Sequence, residues 1–286
     1  PFQAEDGIRD ALVGLVGSEM CIRDSDNADG LETLYHMGAC SSTTETDAAY
    51  LDENNFGYTK KLCLLCLEAG IRFINASSAA TYGDGARGYD DDEAHLDELK
   101  PLNLYAKSKQ DFDVWARDEG VLDKIVCLKY FNVFGPNEWH KGDMRSMVCK
   151  GFEQISAAGK VKLFKSDRPE YPDGGQQRDF VYVKDAVDMT VWFADKPQVN
   201  GIFNVGSGEA KDWNRLITAI FTALGREPAL EYVDMPDHLK GKYQYHTEAR
   251  MTRIAAAGYD KPQTVLEDAV ADYVKNHLAP HRHLSS

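Results

Sequence analysis

Three residues with catalytic potential lie at the end of one predicted strand and in one predicted helix. Ser78 ends the apolar run IRFINASS, and Tyr105 and Lys109 lie four residues apart in LYAKSKQDF. That spacing places both side chains on one face of a helix. An ammonium beside a phenol favours the phenolate, which would make Tyr105 a base near neutral pH while Ser78 holds the substrate oxygen. The same spacing also fits an ordinary surface tyrosine and lysine.

The elements that must position these residues alternate along the chain. Strands are predicted at Leu31–Ala39, Ile71–Ser78, Lys124–Gly135, Arg178–Val183 and Gly201–Gly208, and helices at Asp47–Glu68, Tyr105–Asp118, Asp185–Ala194, Trp213–Leu224 and Thr264–Leu278. This alternation predicts an α/β protein with a parallel sheet covered on both faces. Ligands of such sheets bind beyond the carboxyl ends of the strands.

Charge and composition exclude several classes of protein. The formal net charge of -14 argues against nucleic-acid binding, which needs a basic surface. No apolar run approaches the roughly 18–20 residues that span a bilayer, so we expect a soluble protein without membrane partners. Cys63 and Cys66 have a redox or metal spacing but lie in the apolar stretch KKLCLLCLEAG. No second pair completes a zinc site, which predicts buried thiols, no metal and a reducing compartment.

A family resemblance strengthens the catalytic interpretation. The order of Ser78, Tyr105-x-x-x-Lys109, YFNVFGP, RDFVYVKD and GIFNVGSG resembles the extended short-chain dehydrogenases/reductases, which act on nucleotide-activated sugars with a nicotinamide cofactor. The strings HMGACSSTTETD, ASSAATYGDG, HKGDM, HLKGKYQ and AAGYDKP resemble the branch that inverts C6 of ADP-glycero-manno-heptose. The resemblance covers about residues 26–278. It implies a Rossmann-type sheet with a smaller C-terminal α/β substrate domain.

The resemblance also implies a mechanism. The C6 alcohol would be oxidised to a ketone by bound NADP, with NAD as the alternative, and then reduced on its other face. Tyr105 and Lys141 match the acid/base groups of the two faces. Ser78 matches the hydroxyl that positions the oxygen, and Lys109 matches the lysine that binds the nicotinamide ribose.

Further binding residues follow from the same resemblance. Cofactor contacts are expected from His36, Gly38, Ala39, Asn55, Tyr105 and Lys109, and substrate contacts from Ser78, Asn132, Lys141, Lys150, Arg178 and Tyr243. Lys150 stands where the family usually has a histidine. From its residue type alone, Arg178 fits either a phosphate ligand or an ion pair with Asp179 or Asp185. Without the resemblance, a histidine such as His36 is more often structural than functional.

The first residues depart from the family pattern. Residues 1–25 contain an echoed GIRD and CIRDS, and they resemble translated sequencing-adapter read-through, with a native extension as the competing interpretation. Neither G-x-G-x-x-G nor G-x-x-G-x-x-G precedes LETLYHMGA, so the first strands and glycine-rich turn are expected to be missing. The predicted divisions are a non-native leader at 1–25, a truncated NAD(P)-binding domain at 26–140 and a mainly substrate-binding domain at 141–286, with 178–208 returning to the Rossmann core.

Three functional hypotheses remain open on the sequence. The first is an ADP-heptose epimerase, which by resemblance would be a cytoplasmic homo-oligomer supplying heptose for the lipopolysaccharide inner core. The second is a non-catalytic fragment that keeps the sugar-nucleotide binding residues but cannot hold NADP. The third is another sugar-nucleotide epimerase or reductase. The 4,6-dehydratase branch is disfavoured because Ala79 and Ala80 follow Ser78 where that branch has a threonine and an acid/base pair.

Overall fold

The structure, a computed structural model, describes residues 30–237 and 243–284. The leader predicted at residues 1–25 lies outside these ranges. The strands are β1 (Thr33–His36), β2 (Arg72–Ser78), β3 (Val126–Tyr130), β4 (Asn132–Phe134), β5 (Val161–Phe164), β6 (Gln177–Tyr182), β7 (Gly201–Val205), β8 (Ala210–Asp212) and β9 (Leu230–Val233). The α-helices are α1 (Ala48–Leu51), α2 (Tyr58–Glu68), α3 (Leu104–Asp118), α4 (Met147–Ala158), α5 (Val183–Trp192), α6 (Trp213–Ala223), α7 (Thr252–Ala256) and α8 (Leu266–Tyr273).

The main sheet has the strand order β1-β2-β3-β7, and all its pairs are parallel. Side chains alternate between its faces, as the two-residue period of a strand requires. On β2, Phe73 packs in a core cluster with Phe112 of α3, whereas Ile74 packs on the opposite side with Met189 of α5. Both faces are therefore covered, and the predicted parallel α/β sheet is confirmed.

Two predicted elements are interrupted. The helix predicted at Asp47–Glu68 contains a π-helical segment, Asp52–Gly57, between α1 and α2. Asp47 caps its start, because its side chain accepts a hydrogen bond from the Tyr50 backbone N–H. The strand predicted at Lys124–Gly135 divides between β3 and β4, and β4 leaves the main sheet to pair with β6.

The C-terminal part contains two smaller sheets. One has the order β4-β6-β8, and the other pairs β5 with β9. Their core includes apolar residues from α4, α6 and α8, among them Ile155, Ile220 and Val270. Of the segment 178–208, β7 lies in the main sheet and α5 packs against it, whereas β6 belongs to the three-stranded sheet.

The described cysteines are free thiols. Cys63 and Cys66 are buried on α2, and burial raises the pKa of Cys63 to about 12 and that of Cys66 to about 11. Their predicted burial in the core is confirmed. Within residues 30–237 and 243–284 no group of three His, Cys, Asp or Glu side chains is arranged to hold a metal ion. No helix in those ranges is long and apolar enough to cross a membrane.

Candidate active site

Ser78 and Tyr105 are brought together at the carboxyl end of β2. Ser78 is the last residue of the strand, and its Oγ accepts a hydrogen bond of 3.1 Å from the Ala80 backbone N–H. The α3 helix begins just before Tyr105, where Asn103 Oδ1 accepts a hydrogen bond of 2.8 Å from the Ala106 N–H. The Ser78 hydroxyl lies near enough to the Tyr105 phenol to favour the phenolate. The strand end and the first turn of α3 thus fix the relative position of the two hydroxyls.

Lys109 lies one turn further along α3 and is almost completely buried, with 4% of its surface exposed. Its Nζ donates a hydrogen bond of 2.7 Å to the backbone oxygen of Ala76 on β2. Burial lowers the pKa of Lys109 to about 8, and the carboxylate of Asp113 acts in the opposite direction. The sequence spacing therefore places the ammonium beside the strand that ends in Ser78.

The pKa of Tyr105 differs from the sequence-based prediction. Burial raises it above the ordinary tyrosine value, and the neighbouring Ser78 hydroxyl only partly offsets this effect. The pKa of Tyr105 in the free protein is therefore raised, and the effect of the Lys109 ammonium on it stays a prediction.

His36, at the end of β1, has a buried side chain with an internal partner. Its Nε2 lies 3.0 Å from Thr59 Oγ1, and the Thr59 hydroxyl donates its own hydrogen to the backbone oxygen of Asn55. The imidazole therefore carries its proton on Nε2, and it stacks on Phe73 at a ring-centroid distance of 5.9 Å. Burial, assisted by the charge of Lys109, lowers the pKa of His36 to about 4.

This pKa predicts an acid-sensitive contribution to stability. The unfolded chain protonates His36 near pH 6.5 but the folded chain only near 4, so stability is lost as the pH falls between these values. From pH 7 to pH 5, the native protein is expected to lose about 2 kcal/mol more unfolding free energy than His36→Gln. Urea unfolding of both proteins measures the difference, with the exposed His283→Gln as control. If the unfolding free energy of the native protein and of His36→Gln changed equally between pH 7 and pH 5, burial would not lower the pKa of His36.

Asn55 fixes the loop that follows β1. Its Oδ1 accepts from the Cys40 N–H at 2.8 Å, and its Nδ2 donates to the Cys40 oxygen at 3.0 Å and to Ser108 Oγ at 3.0 Å. The loop that carries Gly38 and Ala39 is thereby held against α3. Both amide hydrogens of Asn55 are used within the protein, so its contribution to a cofactor site is the shape of this loop.

A second group of predicted residues surrounds Arg178 on β6. Arg178 is 7% exposed, and its Nη1 donates a hydrogen bond of 2.7 Å to the backbone oxygen of Gln177. The guanidinium lies 5.0 Å from the ring centroid of Tyr243 and 5.8 Å from that of Trp213. Burial lowers its pKa, although an arginine remains charged at neutral pH.

The ion pair considered for Arg178 is not formed. Asp179 instead accepts backbone hydrogen bonds from Ser207, Gly208 and Ala249, and Asp185 accepts from Thr264. Among the described residues, no carboxylate lies within ion-pair distance of the Arg178 guanidinium. A buried cation is costly without a counter-charge, so this site is suited to an anion.

Beside Tyr243 lies a cleft of about 230 Å³. The Arg168 guanidinium stacks over the Tyr245 ring at 4.4 Å. Side chains or backbone from four parts of the chain line the cleft: Asp84, Gly85, Tyr89, Leu102, Arg168, Tyr171, Tyr243, Gln244, Tyr245 and His246. Of these residues, only Tyr243 was predicted from the sequence. The alternating tyrosines of KYQY were a signal for the second aromatic, Tyr245.

The remaining predicted residues lie beyond β3. Asn132 is exposed at the start of β4, and Lys141 is exposed in a 3₁₀ helix, Trp139–Met144. Lys150 on α4 donates to the Asp143 backbone oxygen and so ties α4 to that segment. In the described part of the chain no hydrogen bond or ion pair joins Lys141 to Tyr105, so the role of Lys141 stays a prediction.

The amino-acid sequence of this chain is similar to a known protein family and to named members of it. A profile of the NAD dependent epimerase/dehydratase family matches residues 18–206. ADP-L-glycero-D-manno-heptose-6-epimerase of Nitratidesulfovibrio vulgaris is 57% identical over 249 residues, which cover 87% of this chain and 77% of that protein. The enzyme of the same name from Fusobacterium nucleatum is 46% identical over 263 residues, which cover 89% and 79%.

A solved structure agrees with these sequence matches. The crystal structure of Helicobacter pylori ADP-L-glycero-D-manno-heptose-6-epimerase has a TM-score of 0.77 and 28% identity to this chain. The similarity covers 92% of this chain and 77% of that one. With the family profile matching more than half of its residues, the chain belongs to the NAD-dependent epimerase/dehydratase family.

Proposed function

We propose that this chain inverts C6 of ADP-glycero-manno-heptose through transient oxidation of the C6 alcohol to a ketone. The observation that carries the proposal is the convergence of Ser78, at the end of a parallel strand, with the Tyr105 phenol and with Lys109, which donates to Ala76 of the same strand. The names of the similar proteins supply the substrate class. The buried guanidinium of Arg178 supplies the counter-charge that a sugar nucleotide needs.

The residues at the end of β2 fit a proton-transfer role. Ser78 is partly exposed and its hydroxyl can hydrogen-bond the substrate oxygen while Tyr105 takes the proton of that oxygen. Because burial raises the pKa of Tyr105 in the free protein, a positive group must come near the phenol before it can act as a base at neutral pH. Lys109 is the cation on the same helix face, one turn away.

The donor set fits the nicotinamide end of a cofactor. A buried ammonium, a phenol and a loop fixed by Asn55 lie together at the carboxyl edge of the sheet, where α/β proteins bind nucleotides. A nicotinamide dinucleotide, NADP in our proposal and NAD as the alternative, would supply the hydride acceptor and donor. Lys109 would bind its ribose hydroxyls, and His36, Gly38, Ala39 and Asn55 would shape the adjoining surface.

Inversion needs an acid/base group on each face of the carbon. We assign Tyr105 to one face and Lys141 to the other, with Asn132 and Lys150 as contacts to the sugar. Lys141 is exposed in a short 3₁₀ helix, so its ammonium is free to reach a bound sugar. Lys150 anchors that segment through the Asp143 oxygen.

Arg178 and Tyr243 would bind the ADP group. A guanidinium presents two N–H donors to a phosphate, and its position over the Tyr243 ring fixes the orientation of that fork. The diphosphate would then balance the charge of the Arg178 guanidinium, which has no carboxylate partner within residues 30–237 and 243–284.

The proposal is tested by proton NMR of the purified chain with NADP and ADP-D-glycero-D-manno-heptose. We expect signals of the C6 epimer to appear and to approach an equilibrium mixture of both epimers. Cofactor retention is measured separately from the absorbance of the desalted protein. Binding of the sugar nucleotide without turnover would instead favour the non-catalytic hypothesis, and inversion at another carbon would favour a different sugar-nucleotide epimerase.

Substitution of Arg178 tests the anion site. Arg178→Met is expected to weaken ADP binding by about 100-fold, because a charge-assisted bidentate contact contributes about 3 kcal/mol in a desolvated site. Isothermal titration with ADP measures this loss. Arg226→Met, which removes an arginine bonded to the Ile155 oxygen, is the control. Unchanged ADP affinity in Arg178→Met would exclude this residue from the nucleotide site.

We further propose the cellular setting implied by the similar proteins. The chain would act in the cytoplasm as a homo-oligomer and supply heptose for the lipopolysaccharide inner core. Light scattering of the purified chain tests the assembly, and restoration of heptose-containing lipopolysaccharide in an epimerase-deficient strain tests the role.

A further inference from the structure

A buried ion pair lies directly behind the candidate catalytic residues. Asp113 on α3 and Lys129 on β3 are both essentially inaccessible to solvent, and Lys129 Nζ lies 3.6 Å from Asp113 Oδ2. Neither residue was selected from the sequence. A buried pair by itself is weak evidence of a functional role, so its contacts with the site are decisive.

Both partners hold the end of β2. Asp113 Oδ2 accepts a hydrogen bond of 2.7 Å from Ser77 Oγ. Lys129 Nζ donates to Thr81 Oγ1 at 2.9 Å, and the Thr81 hydroxyl donates to the Ser78 backbone oxygen at 2.8 Å. The residue before Ser78 is therefore fixed through its side chain, and Ser78 itself through its carbonyl group.

Asp113 also acts on the lysine of the site. It lies one turn beyond Lys109 on the same helix face, and its carboxylate favours the charged form of Lys109 against the effect of burial. The other titratable groups that face Lys109 are His36 on β1 and Cys127 on β3, both of which are neutral at pH 7. Burial raises the pKa of Asp113, and Lys129 and Ser77 oppose this effect by favouring its carboxylate. Among the described residues, Asp113 is thus the negative charge beside Lys109, and its second oxygen, Oδ1, has no hydrogen-bond partner there.

We propose that Asp113 and Lys129 are positioning residues, which hold Ser78 and the charged Lys109 in the geometry that Tyr105 needs. This inference rests on the proposed function for its catalytic consequence. Its structural consequence, the charge state of Lys109, does not depend on turnover. The pair touches neither the substrate nor the cofactor in this assignment.

Two variants separate positioning from simple stabilisation. Asp113→Asn leaves a buried ammonium without its counter-charge, so it is expected to lower stability strongly. Asp113→Asn combined with Lys129→Met removes both charges of the pair and is expected to recover the part of that loss that comes from the unpaired Lys129. If the pair has only a structural role, kcat is expected to recover together with stability. A positioning pair predicts that kcat of the double variant stays at least about 10-fold low while KM changes little.

The charge of Lys109 is measured without any ligand. Lysine side chains are labelled with ¹³C, the Lys109 signal is assigned with Lys109→Arg, and the chain is titrated by NMR. The pH midpoint of Lys109 is expected to fall by about one unit in Asp113→Asn and in the double variant, because the favourable charge is lost. Asp111→Asn, an acidic residue paired with Lys107 on the outer face of α3, is the matched control and is expected to leave the midpoint unchanged.

The outcomes distinguish the two proposals. An unchanged Lys109 midpoint in the folded double variant would overturn the positioning role whether or not the chain is active. Full recovery of kcat in that variant would also overturn it. A lowered midpoint in a chain without epimerase activity would support the positioning of Lys109 and reject the proposed function.

Discussion

Tyr105→Phe is expected to slow C6 epimerisation by about 10²- to 10⁴-fold, the usual contribution of a general acid/base. The substitution removes only the phenol oxygen, so the ring stays packed at the start of α3. The interaction of the phenol oxygen with Ser78 is lost at the same time, which frees the hydroxyl that would position the substrate oxygen. Because Arg178 lies on a different strand, ADP affinity is expected to change less than threefold, about 0.6 kcal/mol.

The measurement is the initial rate by proton NMR in both directions, together with ADP titration. Tyr50→Phe provides a control, since Tyr50 is an exposed tyrosine on α1. Ser78→Ala is expected to show a smaller loss, because it removes the positioning hydroxyl and keeps the base. An epimerisation rate within threefold of the native rate in Tyr105→Phe would exclude the phenol as a base.

Lys141→Met is expected to give the second large loss, at least about 100-fold in the epimerisation rate. Inversion requires proton transfer at the oxygen in both orientations of the sugar, and in the proposed assignment Tyr105 serves only one of them. Methionine keeps most of the length of the lysine side chain and removes its charge. The exposed 3₁₀ segment at Trp139–Met144 carries no buried contact from Lys141, so stability is expected to stay unchanged.

Lys124→Met is the matched control for this variant. Lys124 is also exposed, but it precedes β3 at the amino end of the sheet, away from the strand ends that form the site. Rates for Lys141→Met that equal those for Lys124→Met would show that one acid/base group serves both faces.

The main sheet was predictable because each of its strands is marked by a short run of apolar residues in the sequence. Phe73 and Ile74 are neighbours in one apolar run, and their side chains pack in two different core clusters. A continuous apolar run of this kind predicts a strand that is buried on both faces. The spacing of Tyr105 and Lys109 places both on the same side of a helix, and the structure puts them near Ser78. The family resemblance added residues, such as Lys141 and Asn132, whose local sequence had no catalytic signal.

Other features depend on contacts between distant segments. The α4 helix and the β5–β9 pair were not predicted, because β5 meets a strand almost 70 residues later. The split between β3 and β4 depends on the pairing of β4 with β6. The raised pKa of Tyr105 in the free protein was not predictable, because burial cannot be read from a four-residue spacing. The Asp113–Lys129 pair was missed for the same reason, since α3 and β3 meet only in the folded protein.

The buried guanidinium of Arg178 has a consequence for the rate of encounter with a ligand. The chain carries a formal net charge of -14, so its long-range field repels a diphosphate, and the attraction of one buried cation is short-ranged. Added salt screens the distant repulsion more than the contact at Arg178. If ADP binds at Arg178 as proposed, its association is expected to be faster at higher ionic strength, the reverse of the behaviour of proteins that steer anions with a positive surface.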